Sequence, residues 1–297
     1  MKTFLALTKR NIKLFFKDKG MFFVSLITPV ILLVLDVTFL ASVYRNSVTS
    51  ALPEGMISDK LVSGIVGGEL FSSLLAVSCV TVAFCSNLLM VNDKTSGARK
   101  DMLITPVKKS TVAVSYFAAS LCSTLIVSFV ATAACFIYIA ATGWYFSFGD
   151  VMLIILDVIL LTAFGTALSS VVNVFLSTQG QASAVGTIVS AGYGFICGAY
   201  MPISSFSPVL QKTFSLLPGT YGTSLIRTHA LEGTMRELAN TGVPAEAIQS
   251  LKSGLDCSFE FFGNTVSVGA MYGVLIGATA LLIGAYILIN VLRKNRA

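Results

Sequence analysis

Six apolar runs dominate the chain, at about residues 21–44, 61–91, 111–143, 151–176, 181–202 and 266–291. Each is about 20 residues or longer, long enough to cross a hydrocarbon layer as a helix. An isolated strand would leave its backbone groups unpaired in lipid, so helix is the conformation to expect. The second and third runs exceed the minimum by about ten residues, which tilt or extension into water would absorb. Only 11% of the 297 residues are charged, against about 25% in a soluble domain. That excludes a soluble enzyme, and the high apolar content excludes disorder.

Six crossings put both ends of the chain on one side, and the basic residues say which. Of the 20 Lys and Arg, 14 fall before the first run, between the second and third, or after the sixth. The remaining six lie in the opposite connections, four of them in one long loop. The richer side is expected to be cytoplasmic. Trp144 and Tyr145 then fall at the outer end of the third span, where amphipathic rings prefer to sit. A signal peptide fits poorly, because the leader of about 20 residues precedes a run longer than a typical signal core. The first run is expected to be an uncleaved anchor. Together these readings predict an all-α polytopic membrane protein in the plasma membrane. It is a single transmembrane domain over 1–297, with six transmembrane helices and both termini cytoplasmic.

Three connections carry more than topology. At 100° per residue, Lys2, Lys9, Arg10, Lys13 and Lys17 fall in one arc over residues 3–19. Apolar residues, Phe16 among them, occupy the rest. That pattern predicts an amphipathic helix lying in the membrane interface; the alternative is a charged extension of the first span. The 91–110 connection reads VNDKTSGARKDMLITPVKKS. Asp93 can cap a short helix, Leu103 and Ile104 give it an apolar contact, and Pro106 stops it. It either docks on a partner or is an ordinary solvated loop. The third, 203–265, is too long for a plain turn. It shows weak helical patterns, including Tyr221–Ala239, broken at Pro218–Gly219 and Gly242. Its first part is expected to pack on, or dip into, the membrane surface.

The chain has no phosphate-binding GxxxxGK[ST] and not even a Gly-Lys pair, so any ATP-driven role requires a partner. Its one histidine, His229, sits in the external loop, which removes His-rich zinc motifs. Six cysteines show no paired spacing, and five of them lie inside apolar runs, where Cys acts as a small hydrophobe. Three acids, Asp36, Glu69 and Asp157, lie within or near spans with no basic residue in any span to pair with them. Buried acids cost about 2.5–3.5 kcal/mol or more in lipid and are functional suspects. They could line an outward-facing cavity or couple to protons, or they could be hydrogen-bonded at helix contacts. Spans three and five are dense in small residues, including Ala182, Gly186 and Gly192. That favours close helix packing or a subunit interface.

The order of these features resembles the membrane subunit of type-2 ABC transporters. The basic amphipathic leader runs into a first span containing Pro29. Asp93-Lys94-x-x-Gly97 follows, with Leu103 and Thr105-Pro106-Val107 after it. Ala98 stands where that family usually has Thr. Gly198-Ala-Tyr-Met-Pro202 then ends the fifth run, and Leu217-Pro218-Gly219-Thr220 and Leu225-Ile226-Arg227 follow in the family order.

The resemblance implies a permease subunit of an exporter of drug, lipid or polysaccharide type. The 91–110 loop would couple to a cytoplasmic ABC ATPase through Asp93, Lys94, Gly97, Arg99, Leu103 and Pro106. The N-terminal helix would connect beside it through Lys9, Arg10, Lys13, Phe16 and Lys17. A second permease copy or paralogue would complete a path in the lipid membrane. Met201, Pro202 and Pro218 would join Asp36, Glu69 and Asp157 as path or gate residues, with short re-entrant helices between spans five and six. ATP and Mg would bind the partner; no cofactor, metal or catalytic residue is expected on this chain, and no nucleic acid. Two alternatives stay open: a proton-coupled secondary transporter working through the intramembrane carboxylates, and a scaffold or sensor that transports nothing.

Overall fold

The computed structural model describes residues 1–51, 57–257, 260–262 and 264–292, leaving aside the side chains of 36, 37, 51 and 260. The described chain is almost entirely helical. Helix α1 (Lys2–Lys17) ends at Asp18, whose Oδ1 accepts the Met21 amide at 3.0 Å and so starts α2 (Lys19–Leu35). Pro29 interrupts the α2 hydrogen-bond ladder, and a π-turn at Asp36–Leu40 passes into α3 (Ala41–Ala51). Both are recognised causes of a bend in a long helix.

Helix α4 (Asp59–Thr95) is the axis of the molecule. Ser58 Oγ caps it by accepting the Leu61 amide at 3.2 Å. Its 37 residues span about 55 Å, well beyond a 30 Å hydrocarbon core. It is buried on all faces over most of its length, packing against α2, α3 and five later helices.

The short α5 (Ala98–Ile104) follows, then α6 (Lys109–Thr142) and α7 (Phe148–Phe175). Ser147 and Asp150 form a reciprocal capping box at the start of α7. Thr178 and Gln181 do the same for α8 (Gln179–Ile196). After a turn and a short 3-10 segment at Ile203–Ser205 come α9 (Pro208–Phe214), α10 (Pro218–Asn240) and α11 (Ala245–Gly254). A two-stranded hairpin, β1 (Glu260–Phe261) with β2 (Asn264–Thr265), precedes α12 (Val268–Leu292).

Among the described residues, five stretches are long and apolar enough to cross a membrane: Lys19–Ser50, α4, α6, α7 and α12. The fifth apolar run departs from expectation. It forms only the 18 residues of α8 before the chain turns at Cys197, and its first turn carries two glutamines. Yet α8 traverses the bundle. It starts where Gln179 Nε2 donates to Asn92 Oδ1 at 3.0 Å and finishes at the turn beside Arg227. The end of α12 returns to the α1 end, where Asn290 Oδ1 accepts from Arg99 at 2.8 Å. This is the basic end of the bundle, and the opposite one is the far end.

What the sequence leaves out about α10 is the extent of its burial: within the segment read as external with short re-entrant helices, it is buried along nearly its whole length against α4, α7 and α12. From the far end it reaches inward until Gly222 meets Leu161, about 20 Å along α7. The contact needs glycines. A Cβ at Gly68 would lie 2.8 Å from Leu231 Cδ2 and 2.9 Å from the Ala230 carbonyl, and one at Gly222 would lie 2.6 Å from Leu161 Cδ1. The tightest helix approaches thus use α4 and α10 glycines, whereas Gly186 and Gly192 of α8 face open space.

Candidate functional site

Two polar clusters and one groove hold the residues with chemistry. At the basic end, Asp93 lies inside the last turn of α4 and does not cap α5. The cap position belongs to Gly97, at φ 85° in the left-handed region. Asp93 is instead the anchor of α1. Arg10 Nη1 donates to its Oδ2 at 2.6 Å and Nη2 to Oδ1 at 3.3 Å, while the Tyr116 hydroxyl donates to Oδ2 at 2.5 Å. The Asp93 hydrogen bond holds the Arg10 guanidinium above its ordinary range.

Lys94 Nζ donates to the carbonyls of Asn173, Val174 and Leu176 at 2.8, 2.8 and 3.1 Å. It closes the C-terminal end of α7, where a helix favours a cation. Arg99 reaches α12 through Asn290. Asp93 and Lys94 fasten the end of α4 that leads into α5, Arg99 fastens α5 itself, and α5 offers other residues outward. Ile104 is 83% exposed, Lys100, Asp101 and Pro106 are exposed, and Leu103 is half-buried against the bundle.

Along α1, Lys9, Lys13, Phe16 and Lys17 are exposed, whereas Asn11 and Phe15 are buried. The helix therefore packs against α6 through one face. Arg10 leaves the basic arc assigned to it by the sequence and turns toward Asp93.

In the far half, two of the three suspect acids have partners on α10. Glu69 Oε1 lies 2.8 Å from Arg227 Nη2, with both side chains 1% exposed. Asp157 Oδ2 is 2.6 Å from His229 Nδ1, and its Oδ1 accepts the Tyr272 hydroxyl at 2.6 Å. Arg236 pairs with Asp150 at the start of α7. The lack of a basic residue in the six apolar runs does not leave these two acids unpartnered, because the partners come from α10, whose low hydropathy hides its burial. Asp36 opens the π-turn, and its side chain lies outside the described residues. Asp256 was not singled out in the sequence. It sits 3.8 Å from Arg227 Nη1 and accepts the Ile203 amide. No local motif marks it.

The groove runs between α2–α3 and α8 over the flank of α4, with a volume of about 980 Å³. Ile27, Ile31, Leu35 and Phe39 form one wall, and Ser183, Gly186, Thr187 and Ser190 form the other. Met201 and Pro202 line the end of the groove next to the turn after α8, which we call its mouth, while Glu69, Asp157 and Pro218 are not among its lining residues.

The family model described as ABC-2 type transporter matches residues 2–230. The chain belongs to this family. The match covers α1 through the inner part of α10 and takes in Asp93, Lys94, Arg99, the Glu69–Arg227 and Asp157–His229 pairs and most of the groove, while Arg236, Asp256, Tyr272 and Asn290 lie beyond it. A comparison with curated proteins finds no match. Membership makes the chain a multi-pass membrane protein and a permease component of an ABC transporter, a type of subunit that associates with an ABC ATPase and is not itself the ATPase.

Proposed function

We propose that this ABC-2 permease is one of two membrane subunits of an ATP-driven exporter, with a separate cytoplasmic ATPase seated on α5. One observation carries the reading. The end of α4, which leads straight into the seven-residue α5 with its outward Ile104, is held by Asp93 and Lys94 to α1, α6 and α7, and Arg99 of α5 itself reaches α12. Force applied at α5 would reach four helices through buried or half-buried polar contacts. The ATP and Mg belong to the partner. ATP can drive the cycle only if it binds the two conformations with different affinity.

The excess of Lys and Arg supports a cytoplasmic basic end in the plasma membrane. Helices α1 and α12 meet that end, and with both termini on one side the number of crossings would be even, with α8 as the sixth. Helices α9 and α10 then enter the membrane from outside and return. A second copy or a paralogue would cover the groove between α2 and α8 and close it into a path. Its walls carry hydroxyls and apolar side chains, which suits a drug-like or lipid-like cargo. The proton-coupled alternative loses support, because Glu69 and Asp157 are paired at helix contacts away from the groove.

Gentle purification from native membranes, followed by mass spectrometry, tests the reading. A stoichiometric soluble ATPase with a phosphate-binding loop is expected, and it should be lost from Ile104→Glu. Recovery of the chain without any ATPase, under conditions that preserve another ABC complex, would sink the proposal.

A further inference from the structure

The turn that closes the groove at the end of α8 is built from groups remote in sequence. Gly198 turns the chain at φ 76°, and a Cβ there would lie 2.8 Å from Ile203 Cγ1. Arg227 Nη2 donates to the Gly198 carbonyl at 3.0 Å. Asp256 accepts the Ile203 amide at Oδ2 and the Ser204 amide at Oδ1, the latter at 3.3 Å. Its own backbone is left-handed, at φ 52°, a conformation Asp tolerates better than most residues but still at a cost.

Helix α10 holds that strained residue in place. Ser224 Oγ donates to the Asp256 carbonyl at 3.1 Å and Thr228 Oγ1 to the Cys257 carbonyl at 3.0 Å. Arg227 is in turn fixed by Glu69 on α4. The chain of contacts runs from α4 to Arg227, to Asp256, and to the backbone of 203–204. Just before that backbone stand Met201 and Pro202, at the mouth of the groove.

We infer that Arg227 and Asp256 are positioning residues that clamp the 198–205 turn across the groove mouth, so that this turn moves only when α10 moves relative to α4. The inference rests on reading the groove as the permease path, and it assigns the control of one end of it. Two charges hold the turn through its main chain. Loss of the Asp256 charge, or of the forked guanidinium with which Arg227 reaches Glu69, Asp256 and the Gly198 carbonyl together, frees the turn. Cys197, 2% exposed at the root of the turn, reports the change.

The test uses the full chain in native membranes, treated with N-ethylmaleimide and resolved by peptide mass spectrometry. In the wild type Cys197 is expected to stay unmodified. In Asp256→Asn, and again in Arg227→Lys, its modification should rise by about tenfold through local opening, while Cys79 and Cys135 stay shielded. Cys197 still shielded in both variants overturns the clamp. If Cys79 and Cys135 react in a variant, that variant has unfolded, and amide exchange in the wild type decides. The 202–206 peptide is expected to be protected, and exchange at the speed of an exposed loop overturns the clamp. Failure of the labelling leaves the ATPase co-purification untouched, and failure of the co-purification leaves the labelling untouched.

Discussion

Arg10 and Asp93 are 83 residues apart and meet at 2.6 Å, and removing either tests what the contact is for. Asp93 is nearly buried, while Arg10 is about one-third exposed, so water screens part of the interaction. Arg10→Ala should cost about 1–3 kcal/mol, chiefly by leaving the Asp93 carboxylate short of a charged donor. Thermal unfolding of the purified chain measures this, and Arg10→Lys should recover part of the loss. His229 is expected to behave similarly toward Asp157. His229→Ala leaves the acid with Tyr272 alone and should cost about 1–2 kcal/mol, the upper range for a polar contact between membrane helices. His229→Gln keeps a donor and should cost less. Equal melting temperatures for the two His229 variants would mean that the contact contributes nothing to the fold.

At the scale of elements, α5 separates residues that hold from residues that are offered. Gly97→Ala places a side chain at φ 85°, which costs about 1–2 kcal/mol for an L-residue, and should misdirect α5 and weaken ATPase capture. Ile104→Glu alters a side chain that is 83% exposed, so capture should fail while the melting temperature holds. A fall in melting temperature would mean that Ile104 packs in the fold. The sequence made much of this legible. Period and length located α2, α4, α6, α7 and α12, and the charge pattern located α1 and the 91–110 loop. It did not reveal that Asp93 and Arg10 face each other, because a residue's partner 83 positions away leaves no local mark. It did not show how deeply α10 is buried, for a clearer reason. A helix buried wholly among other helices can carry Arg227, His229 and several glycines, provided that acids and carbonyls meet them. Its hydropathy then reads as a loop. The signal that was available was the count of intramembrane acids without partners, for which α10 supplies the cations.

For the whole molecule, the groove makes a prediction that fold stability alone cannot imitate. Gly186 lies on its α8 wall, and a Cβ added there meets nothing within 4 Å. Gly277 of α12 has equally open space and is not among the groove's lining residues. Gly186→Phe and Gly277→Phe therefore make the same chemical change, each on an exposed helix face with room for the ring, and their effects on folding should be similar and small. Their effects on function should differ. A phenyl ring at Gly186 would project from the groove's α8 wall and stand between this chain and the second subunit proposed to complete the path. ATP hydrolysis and ATP-driven efflux by the assembled complex should collapse with Gly186→Phe and persist with Gly277→Phe. If both variants work, the groove is neither path nor interface, and the hydroxyls of Ser183, Thr187 and Ser190 merely satisfy their own helix, as Thr187 Oγ1 does by donating to the Ser183 carbonyl at 3.0 Å. If both fail with unchanged melting, the α12 face is also an interface, and the second subunit must then be sought on both sides of the bundle.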